Sequence, residues 1–403
     1  MTVFFGALQL RTTLPKTVWI LGLISLFMDM SSEFIHALLP VYLTTTLGLS
    51  VLAVGIVEGI AEATASIMKV FSGVISDRVR HRKPLLLAGY GLAALTKPVF
   101  PLAGSAFEVV GARFVDRIGK GIRGAPRDAL VGDVTPPEQL NAAYGLRQSL
   151  DTVGAFAGPL LAMLILLFWS HDLRLVLWVA VIPALICVLL IVFGIRETPD
   201  PQVLKAKPRL HWDEIRHLPS AFGWLLGVTA LVTLARMAEA LLVLRAQENG
   251  LGLVWIPLVL VVFSAAYALS AYPAGLFGDR LGTRGLLLAG LGVLGLAQGL
   301  LAQAATVGVL FWGGIVLWGL HMGLTQGLLT AQVARLAPAT LRGTSFGVFH
   351  LITGLMQLLA GIGFGWLWVQ YSAATAFLTG MGLALAAMGL VWWRWGREAG
   401  AVS

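Results

Sequence analysis

The sequence has almost no cysteine and little charge. Cys187 is the single cysteine among 403 residues, and it lies in an apolar run. The chain can therefore form neither an internal disulfide framework nor a cysteine-based metal site. Only 12% of the residues are charged and 58% are hydrophobic, which argues against an ordinary soluble domain. The sequence shows no nucleotide-binding loop and no serine–histidine–aspartate set. We therefore expect neither an enzyme nor an ATP-driven pump, and no cofactor.

Long apolar runs dominate the sequence instead. A mean hydropathy of +0.85, with 47 glycines and 13 tryptophans, is typical of a polytopic membrane protein. A membrane helix needs ~20 apolar residues, so about twelve spans fit the chain. Arg11 and Lys16 precede the first run as in a signal peptide, but no cleavage motif follows promptly, and we expect a retained helix. The runs predict an all-α fold with spans near 18–45, 51–75, 84–104, 106–130, 139–168, 172–195, 219–246, 252–276, 284–303, 306–333, 341–368 and 371–394.

The basic residues indicate how the chain is oriented. A net charge of +8 could suggest nucleic-acid binding, but lysine and arginine cluster in alternate short connections, such as 78–83 and 280–284. The connections 44–50 and 302–307 carry neither residue. This distribution is that of cytoplasmic loops. It predicts a multi-pass protein of the bacterial inner membrane with both termini cytoplasmic, in contact with lipid and not with nucleic acid.

A repeat divides the chain into two halves. Residues 196–218, rich in Pro, Lys, Arg and His, read as a cytoplasmic linker between bundles 1–195 and 219–403, with six helices each. The sequence Gly-Val-Ile-Ser-Asp-Arg at 73–78 recurs as Gly-Leu-Phe-Gly-Asp-Arg at 275–280, 202 positions later (275 minus 73). Repeated halves predict two pseudo-symmetric six-helix bundles.

The paired Gly-x-x-x-Asp-Arg segments resemble the loop signature of the major facilitator superfamily, and the resemblance covers essentially the whole chain. A single copy could be ordinary loop charge, but two copies stand at the repeat offset. Aspartate at a helix end can pair with arginines and latch one side closed. The resemblance implies a central cavity, alternating access and a monomer. It implies gating roles for Gly73, Asp77, Arg78, Gly275, Asp279 and Arg280.

The stretch 113–128 in span four carries five basic and two acidic residues. A charge in the membrane costs ~2.5–3.5 kcal/mol or more unless it is paired or hydrated. This face must therefore meet a water-filled cavity, an ion partner or a substrate. Arg117 followed by Gly121 resembles the family's helix-four motif, which implies a part in proton coupling for Arg117. Arg113 and Lys120 are additional charges, and they suggest an anionic ligand.

Span five carries a close-packing motif. Gly154 and Gly158 are small residues four apart, and Pro159 can bend the helix. On their own such glycines usually mean helix packing. Followed by proline in span five, they resemble the family's antiporter motif, which implies gating and is associated with exporters.

Three polar residues precede that motif on span five. They are Arg147, Gln148 and Asp151, and we expect them near the middle of the membrane. Arg147 and Asp151 are one helical turn apart. They could serve substrate binding and proton coupling, or simply neutralise each other.

Span one carries a polar stripe. Asp29, Glu33 and His36 stand at i, i+4 and i+7, so they share one helix face near mid-span. Buried carboxylates can bind or release protons near neutrality, which suits proton coupling. The alternatives are static ion pairs with the arginines of spans four and five, or a divalent metal. One helix supplies too few metal ligands, and we predict no metal site.

Other charged residues are expected to pair locally. Glu58 and Glu62 on span two could pair with Lys69 or Lys97, and they could face the cavity or the interface between the halves. On span seven we expect Arg236 and Glu239 to pair with each other, since they are three residues apart. The second half has fewer charges within its spans than the first, so we expect the coupling chemistry mainly in the first half.

These patterns predict a secondary transporter that exports a small organic molecule by proton antiport. The cationic span-four face favours an organic anion or a metal chelate such as iron–citrate. The carboxylates of spans one and two favour the alternative, a multidrug antiporter for cationic or lipophilic drugs. A proton-coupled uptake symporter and a non-transporting receptor are further alternatives. The predicted proton-coupling residues are Asp29, Glu33, Arg117 and Asp151, and the predicted substrate-binding residues are His36, Arg113, Arg117, Lys120, Arg147 and Gln148.

Overall fold

The computed structural model describes residues 14–76, 81–136, 139–195, 220–336 and 342–400, and all regular structure within them is helical. Short turns of π or 3-10 helix extend or join several of the helices. Short α-helices also lie at Val99–Leu102 and Leu173–Leu177. The main helices are α1 Lys16–Val41, α2 Val51–Ser76, α3 Lys83–Thr96, α4 Ala106–Val134, α5 Leu140–Phe168, α6 Val181–Leu189, α7 Ser220–Ala235, α8 Glu239–Glu248, α9 Leu258–Gln303, α10 Val309–Leu336, α11 Arg342–Gln370 and α12 Ala373–Gly400.

Eleven segments of the described chain are long and apolar enough to cross a membrane. Helix α4 is also long enough to cross a membrane, at 29 residues. Because it carries five basic residues, it is too polar to be one of these eleven apolar segments. Together these segments account for the twelve helices predicted from the sequence. The exception is informative, because the helix that fails on apolar composition is the one that carries the candidate site.

Predicted spans eight and nine belong to one continuous helical stretch, α9. Two of its residues pack against α10: Phe263 at Gly319 and Leu301 at Gly314. These two glycines are only about one and a half helical turns apart on α10. Phe263 and Leu301 are 38 positions apart in sequence (301 minus 263), and a straight helix would hold them about 57 Å apart. The chain therefore reverses within α9, where the sequence predicted a loop.

The apolar core is joined at one end of the molecule and divided at the other. Where α1 ends, a single cluster combines residues from both halves, such as Leu38 and Leu242. Where α1 begins, the first and second halves keep separate clusters, represented by Met28 and Leu291. Among the described residues, the apolar cores of the two halves therefore merge only at the end of the molecule where α1 ends.

Helices α2 and α11 form the longest contact between the first and the second six spans. A side chain at Gly55 would overlap the carbonyl oxygen of Gly361, so the two backbones touch. The proposed linker 196–218 lies outside the described residues, and the division of the chain at that position stays a prediction.

Candidate functional site

A cavity of ≈ 230 Å³ lies between the two halves. Residues from α1, α2 and α4 face residues from α10, α11 and the junction of α7 with α8. Its wall is charged although the helices around it are apolar, which is costly unless the charges meet partners or a ligand. The cavity is lined by Glu33, His36, Glu58, Gly59, Glu62, Arg117, Lys120, Arg236, Met237, Ala238, Glu239, Met322, Gln326 and Gln357.

Two glutamates of α2 form ion pairs with two arginines of α4. Glu58 Oε2 lies 2.7 Å from Arg113 Nη2, and Glu62 Oε1 lies 3.2 Å from Arg117 Nη1. Both glutamates face the cavity, as the sequence allowed, but their partners are these arginines and not Lys69 or Lys97. The two helices pack side by side with a constant offset of 55 residues, which the sequence alone does not reveal.

His36 links the glutamates of α1 and α2. Its Nδ1 lies 3.1 Å from Glu33 Oε2, and its Nε2 lies 3.7 Å from Glu58 Oε2. We call Glu33, His36, Glu58, Glu62, Arg113 and Arg117 the cavity cluster. Arg113 lies behind the cavity wall, since it contacts Glu58 and does not line the cavity itself.

Lys97 has a buried partner of its own on α4. Its Nζ lies 2.8 Å from Asp116 Oδ1 and donates to Ser32 Oγ at 3.1 Å, and Lys97 and Asp116 are almost fully buried. Asp116 also lies 3.6 Å from Arg117 Nε. Removal of either member of a buried pair leaves a charge unmatched, so this pair holds α3 and α4 together.

The wall contributed by α7 and α8 is a break in the helix. Helix α7 ends at Ala235 and α8 begins at Glu239. The predicted ion pair between Arg236 and Glu239 is absent, because residues three apart share a face only in a continuous helix. Arg236 Nη1 instead donates to Gln326 Oε1 at 3.1 Å.

Three charged groups face the cavity without an ion partner among the described residues. Lys120 makes no hydrogen bond or ion pair there, and the same holds for the carboxylate of Glu239. Arg236 contacts only neutral groups, the amide of Gln326 and the sulfur of Met322. These residues are therefore available to bind a charged ligand.

A second group of charges lies between α1, α4 and α5. We call Asp29, Arg123, Arg127, Asp128, Arg147 and Asp151 the three-helix cluster. Asp151 lies 3.5 Å from Arg127 Nη1 and 3.2 Å from Arg147 Nη1. Asp29 Oδ1 lies 3.6 Å from Arg123 Nη2. None of these residues lines the cavity.

Asp29 lies between Leu26 and Met30 of α1, whose backbones meet Gly154 and Gly158 of α5, and it is close enough to Asp151 for the two carboxylates to repel each other. Two carboxylates that repel each other at one site can share a proton. The glycine motif of α5 makes the approach possible: a Cβ at Gly158 would lie 2.6 Å from the carbonyl oxygen of Met30. The predicted antiporter motif thus lies at the contact of α1 with α5.

The predicted site residues fall into two places. His36, Glu33, Arg117 and Lys120 line the cavity. Asp29, Asp151 and Arg147 belong to the three-helix cluster, and Gln148 accepts a hydrogen bond from Arg147 at 2.7 Å. The geometry therefore separates two sets of residues that the sequence placed together.

The predicted gating loops are only partly described. Gly73 lies near the end of α2, whereas Asp77 and Arg78 lie outside the described residues. Gly275, Asp279 and Arg280 lie in the part of α9 between its two packed arms, and their side chains are not described.

Sequence reasoning missed the second-half wall of the cavity. No sequence pattern marked Met322, Gln326 or Gln357 as cavity residues, and Gln326 also accepts a hydrogen bond from Arg236 between two helices. The helix break at 236–238 contains neither glycine nor proline, so nothing in the local sequence indicates it.

A family model described as the Major Facilitator Superfamily matches residues 21–361, and a second match covers 240–402. The chain belongs to this superfamily. It is 30% identical to the uncharacterized MFS-type transporter MJ1317 of Methanocaldococcus jannaschii, over 92% of this chain and 93% of that protein. Multidrug resistance protein MdtH of Proteus mirabilis is 29% identical over 36% of this chain and 35% of its own length.

Solved structures agree in fold. A peptide transporter POT in complex with sulfate aligns with a TM-score of 0.78 at 14% identity, over 95% of both chains. A D-xylose-proton symporter aligns with a TM-score of 0.75 at 15% identity, over 94% of this chain and 97% of the other. The predicted fold class is confirmed. The protein is a multi-pass membrane transporter for a small molecule, and its superfamily is not one of enzymes.

Proposed function

We propose that the protein is a proton-coupled antiporter that exports a small organic anion, such as a di- or tricarboxylate or its iron chelate, from the bacterial cytoplasm. In this proposal the protein works as a monomer in the inner membrane, with both termini cytoplasmic. The two halves rock around the cavity, so that it opens to each side in turn.

The observation that carries proton coupling is the approach of Asp29 to Asp151. A proton shared by these carboxyls is surrounded by Arg123, Arg127 and Arg147. When that proton is lost, the carboxyl group becomes charged and is attracted by the neighbouring arginines, which changes the contact between α1 and α5. A change that differs in free energy between two conformations shifts the balance between them. Arg117 joins the coupling through α4, which carries residues of both clusters.

The cavity supports an anionic substrate. Lys120 faces the cavity without an ion partner among the described residues, and Arg117 adds a second cation from the same helix. The volume of ≈ 230 Å³ is below the ~300–1,000 Å³ typical of sites for drug-sized ligands. A small carboxylate is thus a better match in size than a drug.

One alternative has specific support. Four glutamates line the cavity, and part of the chain is similar to MdtH, a multidrug resistance protein. Both facts favour a multidrug antiporter for cationic compounds. The counterargument is that Glu58 and Glu62 are already neutralised by arginines.

Proteoliposomes that contain the purified protein would test this proposal. Citrate, iron–citrate, succinate and a lipophilic cation would each be offered with and without an imposed pH gradient. We expect uphill movement of at least one of the anions in the wild type. Asp29→Asn and Asp151→Asn should retain downhill exchange and lose the uphill component.

Glu248→Gln is the matched control, because this carboxylate lies on α8, is half-exposed, and pairs with Arg245 outside the cavity. It should transport as the wild type does. Uphill transport that survives in both aspartate variants would contradict the assignment of the proton site. Uphill transport of the cation alone would favour the multidrug alternative, and anion entry along the proton gradient would favour an uptake symporter. Absence of flux for every probe, and for the amino diacids glutamate and aspartate as well, would favour a receptor.

A further inference from the structure

The charges that line the cavity are unequally satisfied. The carboxylates of the first half have partners within the protein, since Glu58 and Glu62 hold Arg113 and Arg117, and Glu33 forms an ion pair with His36 when the imidazole is protonated. Lys120, Arg236 and Glu239 have no ion partner among the described residues. Unmatched charges in a membrane interior are costly, so a bound ligand is expected to supply their counter-charges.

The three unmatched groups differ in sign. Lys120 comes from α4, whereas Arg236 and Glu239 stand on the two sides of the α7–α8 break. The break keeps Arg236 from pairing with Glu239 and turns both toward the cavity. One ligand would therefore meet two cations and one carboxylate.

A simple dianion would satisfy only part of this wall. It would bind Lys120 and Arg236 and leave Glu239 without an ion partner among the described residues. Glu33 and Glu62 repel the charge of Glu239, whereas His36 and Arg236 attract it. More negative charge at this position is unfavourable, because like charges repel strongly at low dielectric.

We propose that the substrate is an acidic zwitterion, with acid groups bound by Lys120 and Arg236 and an ammonium group bound by Glu239. Two acid groups and one ammonium carry a net charge of −1, which balances the +1 left by the three side chains. This inference rests on the proposed function and narrows its substrate class. A cavity of ≈ 230 Å³ restricts the class to small molecules.

Binding to the purified protein would test the charge pattern. The probes are glutamate, aspartate and O-phosphoserine, each with its N-acetyl form and its counterpart without the amino group, such as glutarate or succinate. We expect at least one amino diacid to bind tenfold or more tightly than both counterparts. Glu239→Gln should remove that preference, because its amide cannot form an ion pair with the ammonium.

Glu248→Gln is again the control, because it removes a carboxylate from the other end of the same helix. It should keep the preference for the ammonium form. The proposal is overturned if no probe with an ammonium group binds better than its counterparts, or if the preference survives in Glu239→Gln.

Transport assays separate this inference from the proposed function. Proton-driven flux of citrate or succinate, with no preference for an ammonium group, would leave the function standing and overturn the zwitterion. Tighter binding of an amino diacid, with no proton-driven flux of any probe, would support the zwitterion and overturn the antiport.

Discussion

Asp29 and Glu33 stand one helical turn apart on α1, yet they belong to different charge clusters. Glu33 faces the cavity and holds His36, whereas Asp29 lies behind it with Asp151 and the arginines of α4 and α5. A helix turns by about 100° per residue, so a four-residue step also brings a slight rotation around the axis. That small rotation is enough to place the two carboxylates against different neighbours.

The comparison suggests a division of labour. The cavity presents Lys120, Arg236 and Glu239 to a ligand, and the three-helix cluster balances three carboxylates against three arginines away from it. In the proposed mechanism, a proton shared by Asp29 and Asp151 leaves that second balance at +1, and its release restores neutrality. Since α1 and α4 carry residues of both clusters, a shift in one is felt in the other.

The conformation fits one state of the proposed alternating-access cycle, the state before substrate binds. The halves share one apolar core where α1 ends and keep separate cores where α1 begins. In the proposed orientation, the end at which the two cores are separate faces the cytoplasm. In the proposed cycle this is the state that takes up substrate from the cytoplasm.

The largest effect is expected from breaking the cavity cluster at its buried pair. Arg113 and Glu58 are almost fully buried, so Arg113→Ala leaves a carboxylate without its partner. We expect a loss of about 3–5 kcal/mol in the free energy of unfolding, as for other broken buried pairs. Thermal unfolding of the protein in detergent would measure it. The double variant with Glu58→Gln should recover part of the loss, and an equal or larger loss would contradict a pairwise role.

A smaller effect is expected from separating α1 and α5 next to the three-helix cluster. A Cβ at Gly158 would lie 2.6 Å from the Met30 carbonyl oxygen and 2.8 Å from the Phe34 nitrogen. Gly158→Ala should therefore cost about 1–3 kcal/mol, as overpacking does. It should also weaken proton-driven transport more than exchange.

Gly145 on the same helix is the matched position, because a Cβ there would meet nothing within 4 Å. Gly145→Ala should gain up to about 1 kcal/mol, since alanine stabilises a helix interior relative to glycine. If both variants unfold at the same temperature, the close approach of α1 and α5 is not needed for stability.

Some features of this structure could be predicted from the sequence and others could not, for physical reasons that differ between them. Twelve apolar runs gave the spans, since burial in lipid is read directly from composition. The repeat at 73–78 and 275–280 gave the superfamily. Partner choice was less accessible, because Glu58 and Glu62 could reach lysines or arginines with equal plausibility until the register of α2 against α4 was known. The break at Arg236 was not predicted, because no breaker residue marks it.

A loss of ligand affinity without a loss of stability is expected at Lys120. It lines the cavity and makes no ion pair or hydrogen bond among the described residues, so Lys120→Ala breaks no direct contact of that kind. We expect about tenfold weaker binding of the acids that the wild type binds, which corresponds to about 1.4 kcal/mol. The unfolding temperature should stay unchanged or rise. Lys16→Ala, at the exposed start of α1, is the control, and equal affinity in the two variants would remove Lys120 from the binding site.

The smallest effect is expected within the three-helix cluster, at its exposed edge. Asp128 is about half-exposed, at 46%, and contacts Arg127 and Arg147. Both arginines keep Asp151 in Asp128→Asn, so the change in stability should be at most about 1 kcal/mol, as for surface pairs. The rate of proton-driven transport should stay within about twofold of the wild-type rate. A twofold change corresponds to only about 0.4 kcal/mol. Asp151→Asn, which removes the shared partner of both arginines and of Asp29, should abolish it. If the two variants behaved alike, the cluster would act through its total charge and not through the contact of Asp29 with Asp151.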